Sequence, residues 1–229
     1  MTQDAGPLTQ PTRRPWRELG VFRDVADLRR LDTRTLARGS RNVFVLPGFQ
    51  TGDSSTWVLR RALSKAGHSV RGWGLGINRG NIRSLIPRLI ESLSKEQEPL
   101  HLVGWSLGGF IAREISREIP ERIGQVITLA SPVVGGPKYT AAAGSYLKKG
   151  INLDDIERAV AKRDLTHPLT VPVTALYSRS DAVVCPAACI DRFNDHVEHI
   201  EVDCGHIAFG FNRHVIRIVA DRLAGHDEG

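Results

Sequence analysis

The sequence predicts an α/β fold with a mostly parallel central sheet and helices on both faces, and three observations predict it. From residue 42 onward, short apolar runs end in glycine-bearing turns, and most are followed by apolar residues at helical spacing. Parallel strands joined by crossover helices require that alternation. The chain has 229 residues, 41% of them hydrophobic and 24% charged, so one domain can bury a substantial core without disulfides. No apolar run approaches the roughly 20 residues of a membrane-spanning helix. The first ten residues lack the basic start and apolar stretch of a secretory signal, so the expectation is a cytoplasmic protein with no stable membrane insertion.

Residues 1–41 read as an N-terminal basic segment and surface helix. Pro7, Pro11 and Pro15 lead into an amphipathic stretch at 16–36, where Val21, Val25, Leu28 and Leu31 recur at helical spacing. The formal charge of +6 is concentrated there, since residues 1–41 carry nine arginines against five acidic residues. Arginine alternates with aspartate in Arg23, Asp24, Asp27, Arg29, Arg30 and Asp32, which suits a solvated helix face better than a nucleic-acid surface. No nucleic-acid partner is expected.

Residues 42–229 read as one domain. Its first strand is Val43-Phe44-Val45-Leu46, followed by the turn Pro47-Gly48-Phe49-Gln50. A helix capped by Asp53-Ser54-Ser55 follows, with Trp57, Ala62, Leu63 and Ala66 on its apolar face. After a strand near 70–73, the glycines of 74–80 have the wrong spacing for a dinucleotide site, so the segment reads as a surface loop. The stripe Ile82, Leu85, Ile86, Leu89, Ile90 and Leu93 predicts a helix with Ser84 as N-cap and Pro87 in its first turn.

A strand at 100–103, a helix at 107–119 and a strand at 126–130 come next. Residues 132–168 show no strand pattern, allow short helices at 140–148 and 153–162, and are long enough to suggest an active-site lid. Strands at 171–177 and 197–202 and a helix at 212–223 complete the domain.

The strongest chemical signal is Gly104-Trp105-Ser106-Leu107-Gly108, a G-x-S-x-G run between a strand and a helix. A serine on such a turn has its hydroxyl exposed, glycines allow the close passage of neighbouring backbone, and the Leu107 N–H points into the same space. Serine is a weak nucleophile until a base takes its proton and a third group orients the base. Asp181, in Ser178-Arg179-Ser180-Asp181, and His206, in Asp203-Cys204-Gly205-His206, each follow a strand end. Ligands gather at such ends in open α/β sheets. Asp203 is the rival acid, although its position three residues before the base suits a turn former. Of the other seven histidines, His101 and His199 read as structural, and His68, His167, His196, His214 and His226 as solvated.

Through Leu46-Pro47-Gly48-Phe49, Gly104 to Gly108, Tyr177 to Val184 and Cys204-Gly205-His206, residues 42–224 resemble the α/β-hydrolase family, and within it the small bacterial lipases and esterases. Many relatives have a histidine where this chain has Pro47. The resemblance implies an oxyanion hole formed by the Phe49 and Leu107 N–H groups, with Gln50 N–H the adjacent alternative. It implies a small-molecule ester or acyl substrate and no cofactor.

Two rival functions share the residues: an acyltransferase or thioesterase using the same triad, and a non-catalytic binding protein of the same fold. A zinc site of Cys185, Cys189, Cys204 and His206 has the wrong spacing and would consume the base, so no metal is expected. Cys185 and Cys189 read instead as one face of a short helix behind the acid turn, with reduced thiols the default.

Overall fold

The computed structural model describes residues 6–11, 18 and 20–225. Its sheet has six parallel strands, β1 (Asn42–Leu46), β2 (Ser69–Gly72), β3 (Leu100–Trp105), β4 (Ile123–Leu129), β5 (Val173–Tyr177) and β6 (Glu198–Glu201), in the spatial order β2-β1-β3-β4-β5-β6. Seven α-helices accompany them among the described residues: α1 (Val21–Leu28), α2 (Trp57–Lys65), α3 (Ile82–Leu93), α4 (Leu107–Glu118), α5 (Ala143–Lys148), α6 (Leu153–Thr166) and α7 (Arg213–Ala224). None of the described helices is long and apolar enough to cross a membrane.

Alternation along the strands explains the two layers. Successive side chains of a strand point to opposite faces, so Val43 and Val45 join a core with α2 and α7, while Phe44 and Leu46 join a core with α3 and α4. Because both faces are covered, the central strands are buried along almost their whole length, and most of their residues are apolar. The chain passes from β1 to β2 on one side and then returns to lay β3 on the other side of β1, with Leu46 in register with Gly104. A crevice at the carboxyl ends of strands forms at such a reversal, and here it lies between the turn after β1 and the turn after β3.

Several predicted details differ. Helix α3 begins at Ile82 with Asn81 as N-cap, not at Ser84, and Pro87 sits inside it. Pro87 lies on the exposed side, where the carbonyl it leaves without a donor can meet water. Trp57 is 54% exposed rather than on the apolar face of α2, its ring capped by the Arg61 guanidinium at 5.7 Å, and Leu59 takes the inward position.

The N-terminal helix is shorter than its stripe, and Trp16 lies outside the described residues. Val25 faces solvent while Asp24 turns inward to accept a 2.7 Å hydrogen bond from the Asn212 amide, at the N-cap of α7. A polar partner below the helix outweighs the apolar spacing on its surface.

His68 is buried rather than solvated, its Nδ1 accepting from Arg41 N at 3.3 Å. His226 lies outside the described residues. His101 and His199 occupy structural positions: the Gln125 amide lies 3.1 Å from His101 Nδ1, and His199 Nε2 accepts from Asp191 N at 2.9 Å.

Candidate active site

Ser106 caps α4 with φ 54° and ψ −120°, a backbone conformation that costs a non-glycine residue about 1–3 kcal/mol. Lack of space around it holds the turn. A Cβ on Gly104 would run into Gly109, and one on Gly108 would run into the Leu46 carbonyl, so α4 approaches β3 and the end of β1 as closely as it does only through these glycines. Ser106 N donates to Leu129 O at 2.8 Å, which ties the turn to β4. As the first residue of α4, Leu107 has no intrahelical acceptor for its N–H.

The turn after β1 faces Ser106, and an ideal Cβ on Gly48 would lie 3.3 Å from Ser106 Cβ. Gln50 has φ 62° and donates its N–H to Asn78 O at 2.7 Å, so that N–H is committed. No acceptor for the Phe49 or Leu107 N–H is present among the described residues.

Asn78 sits in the segment expected to be a surface loop, yet it is 0% exposed. Its amide donates to Pro47 O at 2.9 Å, its N–H to Thr51 O at 2.8 Å, and its Oδ1 accepts from Gly80 N at 3.1 Å. Asp53 anchors the start of the same segment by accepting from Trp73 N and Gly74 N, both at 3.0 Å. The loop is therefore a buttress for the first turn. An asparagine among glycines, able to mimic a turn with its side chain, is the only local signal that marks it.

Asp181 and His206 are both buried, with Asp181 Oδ2 2.7 Å from His206 Nδ1. The other oxygen of Asp181 accepts from Val183 N and Val184 N, each at 2.7 Å, which fixes the carboxylate plane. The His206 ring lies 5.7 Å, centroid to centroid, from Trp105.

Asp203, the rival acid, is directed elsewhere: its carboxylate accepts from Ser180 Oγ at 3.0 Å and lies 3.7 Å from Arg23. The Ser178 hydroxyl accepts from Ser180 N at 3.0 Å and Cys204 N at 3.4 Å, joining the acid and base loops close to the sheet.

Ser106, Leu107, Phe49 and His206 line one cavity of about 280 Å³. Its remaining wall is apolar, built from Trp105 and Phe110 below and from Pro137, Tyr146, Ile156 and Val160 of the 132–168 segment. Burial raises the Tyr146 hydroxyl above the usual tyrosine range. That segment contains α5 and α6, so it carries helices in the expected places, α6 running on to Thr166.

Helix α6 is held to α4 by buried ion pairs. Asp164 meets Arg113 at 3.3 Å and also Arg117, and Arg113 reaches Asp191 at 2.6 Å. Burial raises the Asp164 carboxyl, whereas at Asp191 the Arg113 charge and the hydrogen bonds from Phe193 and Asn194 outweigh burial and lower it.

The three cysteines are buried and free. Cys185 caps and Cys189 ends a short 3₁₀ turn, Pro186–Cys189, beside the Asp181 loop, and burial raises the Cys189 and Cys204 thiols far above their usual range. Among the described residues no three histidine, cysteine or acidic side chains are grouped to hold a metal ion.

No protein-family model matches the chain. A curated relative, the pimeloyl-[acyl-carrier protein] methyl ester esterase of Aeromonas hydrophila subsp. hydrophila, is 38% identical over 61 residues, which are 26% of this chain and 24% of that protein. The match spans about a quarter of the relative's length.

Solved structures match far more of the chain. The monoacylglycerol lipase of Paleococcus ferrophilus has a TM-score of 0.65 at 15% identity, covering 84% of this chain and 97% of that one. The α/β-hydrolase domain-containing protein 10 of mouse has a TM-score of 0.61 at 19% identity, covering 82% and 91%. A thioesterase domain from the curacin biosynthetic pathway has a TM-score of 0.57 at 13% identity, covering 82% and 92%. The chain has the α/β-hydrolase fold.

Proposed function

We propose that this protein is a serine hydrolase that cleaves carboxylic esters through an acyl-enzyme on Ser106. The observation that carries the reading is the 2.7 Å contact between buried Asp181 and the His206 ring, with that ring and Ser106 lining the same apolar cavity.

In this reading His206 Nε2 takes the proton of the Ser106 hydroxyl as the oxygen attacks the ester carbonyl. Asp181 holds the imidazole in the tautomer that can accept and then stabilises the imidazolium. The Phe49 and Leu107 N–H groups receive the oxyanion, a role for which they are open whereas Gln50 N–H is not. Collapse of the tetrahedral intermediate breaks the bond to the alcohol, which leaves with the proton from His206. Water then attacks the acyl-enzyme by the same route, and no cofactor takes part.

The 132–168 segment serves as the lid, and its apolar side chains receive the acyl chain. The short sequence match to an enzyme named as a methyl ester esterase supports ester cleavage over the non-catalytic alternative.

A fluorophosphonate probe and a series of p-nitrophenyl esters of increasing chain length test the reading. Wild type is expected to be labelled at Ser106 and to turn over the esters, and Ser106→Ala to do neither while remaining folded. Labelling at another serine would overturn it. Product analysis with a primary alcohol present separates hydrolysis from acyl transfer.

A further inference from the structure

Glu18 lies in the N-terminal segment, far in sequence from the site residues, yet its carboxylate meets both loops that carry the acid and the base. Oε1 accepts from Ala182 N at 3.1 Å and from His206 N at 3.1 Å, and Oε2 accepts from Ile207 N at 3.2 Å. Ala182 follows Asp181 directly, and Ile207 opens the short 3₁₀ turn Ile207–Gly210, whose first N–H groups have no partner within the turn. Glycine at 205 permits the approach, because an ideal Cβ there would lie 2.7 Å from Glu18 Oε2.

The two loops have other ties, the Ser178 hydroxyl at the strand ends and the exposed hydrogen bond from Ser180 Oγ to Asp203. Beyond these, Glu18 joins the backbone next to Asp181 to the backbone of His206 itself. Other described residues of the N-terminal segment make contacts on the same side. Cys185 Sγ donates to Pro7 O at 3.6 Å, Leu8 packs on the cluster beside the acid loop, and Arg23 reaches Asp203. Exposed contacts such as Arg23 with Asp203 contribute little, whereas a carboxylate accepting three amide N–H groups is a strong tie.

We infer that Glu18 is a positioning residue, clasping the loops of Asp181 and His206 from the outside so that the carboxylate and the imidazole stay in register. The proposal rests on the serine hydrolase reading, in which that register governs proton transfer. Misplacement of a catalytic group by an ångström costs up to about 100-fold in rate. Loss of the Glu18 tie, with the others left in place, is expected to cost about ten-fold, in turnover rather than in substrate binding.

The test is a double-mutant cycle in the full-length chain. Glu18→Ala and Glu18→Gln are made in wild type and in Asp181→Asn, with kcat, KM, fluorophosphonate labelling rate and Tm measured for each. Glu18→Ala should lower kcat and the labelling rate about ten-fold with KM within about two-fold. Glu18→Gln keeps an oxygen that can accept from Ala182 and His206, so it should stay within about three-fold of wild type. In Asp181→Asn, where the register no longer matters, Glu18→Ala should change the labelling rate by less than about two-fold.

Wild-type turnover in Glu18→Ala, a Gln variant as slow as the Ala variant, or an equal loss in both backgrounds would each overturn the proposal. Should Glu18→Ala not fold, Glu18→Asp, one methylene too short to reach both loops, replaces it in the same cycle with the same expected result. If Ser106→Ala is inactive and Glu18→Ala is not slow, this inference alone fails. If Ser106→Ala remains active, the underlying reading fails whatever Glu18 does.

Discussion

Around Ser106 the backbone is held by lack of space, whereas around Asp181 and His206 it is held by hydrogen bonds. Gly104 and Gly108 leave no room for a Cβ, and the strained serine is caught between β3 and α4. No polar side chain is needed to shape that turn. On the acid–base side the loops are longer, and Ser178, Asp181 and Glu18 accept amide N–H groups that would otherwise be unpaired. Close packing tolerates almost no change in volume, while a hydrogen-bonded loop can drift as soon as one acceptor is lost. The nucleophile side should therefore fail by not folding and the acid–base side by losing rate.

The largest expected effect breaks the acid–base side. Asp181→Asn keeps Oδ1 as acceptor for Val183 N and Val184 N but turns a donor toward His206 Nδ1, which selects the wrong tautomer. Turnover should fall about 10⁴-fold with little change in thermal midpoint. Steady-state kinetics and a melting curve check both halves of that statement. Near wild-type turnover, with a large loss in Asp203→Asn instead, would reassign the acid.

Gly108→Ala attacks the other side and should do the opposite. The added methyl meets the Leu46 carbonyl, so stability should drop by about 3 kcal/mol. Any folded fraction should still be labelled by the fluorophosphonate. Urea unfolding gives the first quantity and active-site titration the second.

Asn78→Ala lies between the two behaviours, since it removes a buried hydrogen bond that supports the first turn. Leaving Pro47 O without its donor should cost about 1–3 kcal/mol. It should also lower turnover by relaxing the turn that presents the Phe49 N–H. An unchanged urea midpoint would contradict the buttress role of the 74–80 segment.

The smallest effect is one of pH on stability, and it concerns two structural histidines. Burial holds the imidazoles of His68, just before β2, and His199, within β6, below the usual histidine range. Both are neutral in the fold, so as pH falls through about 6.5 the unfolded chain takes up protons first. Their contribution to stability is complete above that pH and is lost below it. The thermal midpoint should thus decline between pH 7 and pH 5, and His68→Gln should flatten the decline. A slope unchanged in that variant would remove His68 from the account.

Local periodicity and local motifs carried the layered α/β plan, the strand–turn–helix around Ser106 and the placement of Asp181 and His206 after strand ends. These depend on side-chain alternation and on steric rules acting over a few residues. Three features had no such signature. The Gln50 N–H is used by Asn78 and the Phe49 N–H is left open, which depends on a loop that crosses back from beyond β2. Asp24 is drawn inward by Asn212, against the helical apolar stripe on its own element. The Glu18 carboxylate lies on the loops of Asp181 and His206, although Glu18 precedes His206 by 188 positions. Each is a hydrogen bond between segments far apart in sequence. A donor's choice of acceptor depends on what the completed fold brings within about 3 Å, and no pattern along the chain encodes that distance.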